Sequence, residues 1–247
     1  MDTYASPRLP EQEELADRPG ATGLLREVLA ALAEVKIHGG SRAVDLSGLG
    51  EADRLLVNQV LGEGEVSVII APPIAGGSEI RIQESVFAGV WRVVEEAAAS
   101  DRIEVGPIPT VVAEAARLDG LSSPPPWVGP PPAEAPSAPL LLTELRDHSA
   151  TWRAGDPAHV VNLTLLPVTT ADIAFLDHEL GTGRVLILSR GYGNCRITNA
   201  RLPGTWRLVY YNSQDVVIQN LVEISVVPEV ALAAPEDLAD SFERLQE

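Results

Sequence analysis

A single cysteine, Cys195, stands in the 247 residues. That excludes an internal disulfide framework and any zinc site built from several cysteines of this chain. It fits a reducing compartment. Basic residues are also scarce: 18 Lys and Arg stand against 35 Asp and Glu, a net charge of -17. With no basic stripe to neutralise phosphates, no nucleic-acid partner is expected. No apolar run approaches the ~18 residues of a membrane span. The start, Met1-Asp-Thr-Tyr-Ala-Ser-Pro7, has neither the basic nor the apolar segment of a secretory signal. The expectation is a soluble, cytoplasmic protein with no stable membrane insertion.

Catalytic patterns are missing too. None of His38, His148, His159 and His178 forms a His-x-x-x-His pair. There is no Gly-x-Ser-x-Gly elbow and no Walker loop. Gly191-Tyr-Gly193 lacks the third glycine and the following helix of a dinucleotide-binding turn. Asp177-His178-Glu179 reads as a solvated helix face. These absences favour a binding protein over an enzyme, with no cofactor and no resident metal.

What is present is a core-forming chain, 45% hydrophobic, that states its plan twice. Residues 1–22 are polar and proline-punctuated, a flexible lead-in. Residues 23–118 read as a first unit: a helix capped by Thr22, a short strand at Ala43–Leu46, a helix over Glu51–Leu61 stopped by Gly62, then strands around 65–71, 79–84, 89–94 and 102–105, and a closing helix. Residues 119–138 are a proline-rich linker carrying Trp127, either docked on a domain or free as a partner handle. Residues 139–247 repeat the order. Ala171-Asp172 echoes Ala52-Asp53, Leu180-Gly-Thr-Gly183 echoes Leu61-Gly-Glu-Gly64, and Gly204-Thr-Trp-Arg207 echoes Gly89-Val-Trp-Arg92. Pro235 to Leu245 adds a final amphipathic helix to this second copy. Two copies are too few for a solenoid. They define an α+β class of two similar domains, each a mostly antiparallel sheet with helices packed on one face.

The second copy alone carries a loaded loop, Arg190-Gly-Tyr-Gly-Asn-Cys-Arg196. Gly191 and Gly193, with Asn194, suit a hairpin turn. The turn does not account for two arginines around a tyrosine and a lone thiol. Cys195 reads first as a small packed residue; partner contact, or redox or metal chemistry by an arginine-activated thiolate, are the alternatives. Trp206 and Tyr210 share one strand face and Tyr211 the other. The candidate partner-binding set is Arg190, Gly191, Tyr192, Gly193, Asn194, Cys195 and Arg196, with Tyr211, Asn212 and Asp215 of the following hairpin.

The segments Arg190–Ile197, Trp206–Asp215, Val226–Ala234 and Glu236–Ser241 resemble the HupH/HyaF family of [NiFe] hydrogenase accessory proteins, collinearly over residues 139–247. The first unit is similar to the same domain without the loop motif. The resemblance implies an assembly chaperone in hydrogenase maturation. Its implied client is the immature iron–sulfur small subunit before export, or alternatively the large subunit during nickel–iron site assembly. A thioredoxin-like accessory protein of the same operon is the implied co-chaperone. A homodimer is compatible with this reading, and a redox or cluster-handling role for Cys195 is the rival one.

Overall fold

The computed structural model describes residues 15–74, 77–130, 132–191 and 193–246. In chain order these form α1 (Pro19–His38), β1 (Arg42–Asp45), α2 (Glu51–Leu61), β2 (Val66–Ile70), β3 (Ile80–Glu84), β4 (Val90–Glu95), β5 (Ser100–Val105), α3 (Thr110–Gly120), α4 (Ala138–Thr151), β6 (His159–Asn162), α5 (Thr170–Leu180), β7 (Thr182–Ser189), β8 (Asn194–Ala200), β9 (Thr205–Tyr211), β10 (Val217–Ile224) and α6 (Pro235–Gln246). The chain is α+β, and its two copies repeat the same element order. No helix among the described residues is long and apolar enough to cross a membrane.

The chain divides into two compact units. One comprises residues 1–67, 77–109 and 232–247, the other residues 68–76 and 110–231. In the first, β1 pairs with β5, β5 with β4 and β4 with β3, all antiparallel. Val44, Val90, Ile103 and Val105 face Val28, Leu32, Val57 and Val60 of α1 and α2 in one buried cluster. In the second, β7, β8, β9, β10 and β6 follow one another, again antiparallel. There Val161, Ala200, Val222 and Ile224 pack against Leu142 and Leu145 of α4 and Leu176 and Leu180 of α5.

The sequence echoes correspond to shared structural devices. Asp53 of α2 accepts a hydrogen bond from the Ala21 N–H at 3.1 Å. Asp172 of α5 accepts from Ser137 and Ala138 at 2.8 and 2.9 Å. Each carboxylate thus satisfies the start of the preceding helix, where backbone donors have no intrahelical partner. Gly62 and Gly181 end their helices at φ +54° and +66°, a conformation that glycine adopts without steric penalty. A Cβ on Gly64 would lie 2.2 Å from the Ser85 carbonyl, and one on Gly183 2.2 Å from the Asn199 side chain. Trp91 and Trp206 are both fully buried. Their indole N–H groups donate to the carbonyl just past the next strand, Gly106 at 2.9 Å and Ser225 at 3.2 Å. Arg92 binds Asn58 of α2 and Asp101 of β5. Arg207 binds Asp177 of α5 at 2.8 Å and Asn220 of β10. Asp177 is 49% exposed, on the solvated face expected for Asp177-His178-Glu179, and it also takes part in a sheet-to-helix clamp.

Three boundaries differ from the sequence reading. Helix α1 begins at Pro19, so Thr22 is not its cap; the Thr22 hydroxyl donates to Leu15 O at 2.8 Å instead. Asp119 and Gly120, read as linker, close α3 and are buried. Asp119 Oδ2 accepts from the Arg184 N–H at 2.6 Å and Asn199 Nδ2 at 2.9 Å, while Arg184 Nε donates to Oδ1 at 2.6 Å. These donors outweigh the cost of burial and hold the Asp119 carboxyl below its usual range. The last helix, α6, belongs to the first unit although it follows the second copy in sequence. Leu238 is buried there, with Phe242 and Leu245 packed on the same cluster. Gly89 (φ +79°) permits this approach, since a Cβ on it would sit 2.1 Å from Leu238 Cδ2. An amphipathic period fixes which face of a helix is buried but not what it is buried against.

The proline-rich segment lies on the second unit. Arg146 of α4 donates to the Pro124 and Pro125 carbonyls, both at 3.4 Å. The Trp127 ring meets Phe175 of α5 edge-on at 5.5 Å and 88°. Of the two readings of Trp127, docking is the one observed.

Candidate functional site

Strands β7 and β8 form a hairpin whose turn is the decorated loop. Ser189 pairs with Cys195 and Leu188 with Arg196, which leaves Arg190, Gly191 and Gly193 exposed at the tip. Gly193 takes φ +97°, where any residue with a Cβ is strained. Tyr192 lies outside the described residues. On the other side of β8, Asn194 pairs with Tyr211 and Cys195 with Tyr210. This register draws the β9–β10 turn alongside the β7–β8 turn, and the nine described residues of the ten singled out in sequence collect at one end of the sheet.

The second turn is internally braced. Asn212 Oδ1 accepts from the Gln214 and Val216 N–H groups at 2.9 and 3.0 Å. The Asn212 N–H donates to Val216 O at 3.0 Å. Asp215 adopts φ +57°, a left-handed conformation that aspartate tolerates better than most residues. Asn212 therefore shapes the turn, and Asp215 is displayed by it. Between the two tips lies a cleft of about 470 Å³ lined by Leu188, Ser189, Arg190, Asn194, Cys195, Arg196, Tyr211 and Asp215. Two guanidinium groups border it, in a chain of net charge -17.

Cys195 is 3% exposed. Burial pushes its thiol up to about 11, a rise that the neighbouring Glu223 carboxylate reinforces and the hydrogen bond from Tyr210 opposes. Burial likewise pushes the Tyr210 hydroxyl up to about 12. Glu223 is itself buried and held above the usual carboxylate range. Reactive cysteines need an electropositive, accessible setting that favours the thiolate. Here the flanking Arg190 and Arg196 are on the exposed tip and strand surface, while Cys195, at the floor of the cleft, is buried with its thiol beside Tyr210. The geometry gives a packed, protonated thiol, in line with the first of the three sequence readings.

Sequence reasoning missed the apolar margin of this end. Val216, Val217 and Ile218 are 55, 49 and 55% exposed. Strand β6 pairs only with Leu221–Ile224 of β10. Among the described residues, the strand from Val217 to Gln219 therefore has a sheet partner on one side only, β9. Leu165 and Leu166, 80 and 39% exposed, are close in sequence to Thr164, whose hydroxyl accepts the Asn220 N–H at 2.8 Å. The available signal was Val216-Val-Ile218 itself: three apolar residues in a row cannot all point into a core from a strand with period two. The corresponding turn of the first copy, after β4, is Glu96-Ala-Ala-Ala99, with no such surface.

The fold and this end of the second unit define a class: a duplicated α+β module, one copy of which displays a two-hairpin surface. Two segments, residues 19–120 and 136–247, match the family model described as HupH hydrogenase expression protein, C-terminal conserved region. The chain belongs to that family. It is 49% identical to the hydrogenase expression/formation protein HoxQ of Cupriavidus necator and 45% to HupH of Rhodobacter capsulatus, covering 100% of this chain and 86% of each relative. It is 37% identical to the hydrogenase-1 operon protein HyaF of Escherichia coli, over 98% of this chain and 84% of that one. Among solved structures, a hydrogenase expression protein HupH from Thiobacillus denitrificans is 29% identical, covering 44% of this chain and 91% of that chain, with a TM-score of 0.40.

Proposed function

We propose that this protein is an accessory chaperone in hydrogenase maturation that holds an immature hydrogenase subunit on the hairpin end of its second unit. The observation that carries the reading is the convergence of both hairpin tips and the half-paired apolar strand β10 at one place, in one copy only. The names of the relatives, hydrogenase expression/formation proteins, support the process. An exposed strand edge takes an extended segment by backbone hydrogen bonding. Apolar side chains beside it add burial, and Arg190, Arg196 and Asp215 add polar selection. The client favoured is the iron–sulfur small-subunit precursor, held in the cytoplasm before export with a thioredoxin-like accessory protein as co-chaperone. Cys195 borders the same cleft, but its burial and raised thiol weigh against the rival reading in which it supplies a thiolate.

The test is affinity capture of the tagged full chain from cells expressing a hydrogenase operon, with mass spectrometry of the co-eluting proteins. Wild-type protein is expected to recover the small-subunit precursor. Arg190→Ala/Arg196→Ala and Val217→Asp are each expected to lower that recovery about tenfold or more, the scale of one lost hot-spot contact. Unchanged recovery and unchanged hydrogenase activity in both variants would overturn the surface assignment. Capture of the large subunit instead would replace the client and move the step to the nickel–iron site.

A further inference from the structure

A second group of chemistry-bearing residues lies elsewhere on the same unit, away from the hairpin turns. Helix α4 carries Glu144 and His148 one turn apart, which places them on the same face. Strand β6 begins at His159. His159 Nε2 lies 3.0 Å from Glu144 Oε1. The His148 and His159 rings are stacked, centroids 3.5 Å apart and planes within 10°. One donor atom from each of the three residues falls within 4.8 Å of the other two.

We propose that Glu144, His148 and His159 bind one divalent first-row transition-metal ion. Two imidazoles and a carboxylate suit zinc, copper, cobalt or iron, whereas magnesium and calcium prefer all-oxygen sites. Bonds of about 2.0–2.2 Å to nitrogen and oxygen put neighbouring tetrahedral ligands about 3.4 Å apart. The 3.0 Å His159–Glu144 approach already meets that spacing. The remaining pairs need at most a modest closure, and one imidazole must tilt out of the stack to aim its lone pair. Both motions use exposed or half-buried side chains, and the ring torsion of histidine is broad. Three protein donors leave one position for a ligand from outside, the arrangement of an exchangeable ion and not of a sealed structural one.

The set is not part of the duplicated frame. Counting from the capped residues Ala21 and Ala138, the first copy has Glu27 and Ala31 where the second has Glu144 and His148. Aligning Val44-Asp-Leu46 with Val161-Asn-Leu163 puts Arg42 opposite His159. Arg42 forms an ion pair with Glu34 at 2.6 Å. The first copy thus has a guanidinium in place of an imidazole, and the fold does not need two histidines here.

The experiment uses the purified full chain stripped with a chelator. Zn²⁺ is titrated by calorimetry and Co²⁺ by visible absorption, which reports coordination number. One ion per chain is expected, with visible bands of a nitrogen- and oxygen-ligated Co²⁺. His159→Ala and His148→Ala should each weaken binding by about tenfold or more, since even an outer-sphere partner of a metal ligand is worth about ten- to a hundredfold. Glu144→Gln should do likewise, and His38→Ala and His178→Ala should change nothing. Wild-type affinity equal to that of the Glu144→Gln/His148→Ala/His159→Ala variant would overturn the proposal, as would loss that tracks His38 or His178. Neither result depends on a hydrogenase, so the outcome is separate from the chaperone assignment. Unchanged circular dichroism in the variants confirms that the fold is intact.

Discussion

Replacing Asp172 with alanine removes a side chain that accepts four hydrogen bonds. Its two oxygens take the Ser137 and Ala138 N–H groups, the Thr169 N–H at 2.8 Å and the Thr169 hydroxyl at 2.8 Å. The Thr169 hydroxyl in turn accepts the Asp172 N–H at 3.0 Å, completing a capping box for α5. Thr169 is exposed and can turn to water, so the loss there is that of a helix cap, about 1 kcal/mol. Ala138 is fully buried, and its orphaned N–H costs about 1–3 kcal/mol. The total is about 3 kcal/mol. With a urea m-value of about 3 kcal/mol/M for a chain of this size, the midpoint for this unit falls by about 1 M. Asp53→Ala supplies the internal comparison, because among the described residues Asp53 accepts only from Ala21, at 3.1 Å. It should cost about 1 kcal/mol. Hydrogen exchange at Ser137 and Ala138 localises the effect. An Asp172→Ala variant as stable as wild type to within about 0.5 kcal/mol, or an Asp53→Ala change that costs more, would exclude this role for the Asp172 carboxylate. The Asp172 carboxyl is held below its ordinary value because these hydrogen bonds outweigh its burial. Its contribution is present above the unfolded aspartate value of about 3.9 and is lost as pH falls through the lower folded value.

Two other groups carry pH-dependent predictions. Burial, with Glu65 and Asp237 nearby, pushes Glu84 up to about 7, against the hydrogen bond it accepts from Gly89. A raised acid binds its proton longer in the folded state, so its contribution is full below about 4.5 and declines as pH rises to about 7. Glu84→Gln should flatten that decline, by about 3 kcal/mol at most between pH 4 and 8 in urea titrations; an unchanged slope would count against burial as the cause. For Cys195, a thiol at about 11 is about one part in a thousand thiolate at pH 8, against about one in four for an ordinary thiol. Iodoacetamide should therefore label the native chain at least a hundredfold more slowly than the urea-unfolded chain, as read by mass spectrometry. Equal rates would restore the reactive-thiol reading.

Much of the fold was legible because it is written in local patterns. Helix stops at Gly62 and Gly181, alternation along β3, β4 and β9, and paired echoes such as Ala52-Asp53 and Ala171-Asp172 depend on neighbours in sequence. The loop motif was legible as an anomaly, since a turn explains Gly191 and Gly193 but not what surrounds them. The exposed run Val216–Ile218 was harder to see: apolar β-branched residues are what a buried strand also looks like, and only the short reach of β6 leaves them uncovered.

The sequence by itself determined the duplication, the α+β class, the family and the place of the decorated loop, since each rests on order and spacing along the chain. The tertiary structure alone decided which neighbours those pieces have. It buried Cys195 beside Tyr210 while leaving Arg190 and Arg196 exposed, set α6 into the unit built from the first copy, and joined Glu144 and His148 to His159 across the α4–β6 connection. Each of these depends on contacts between residues separated in sequence, and the shape that brings them together is a property of the packed chain.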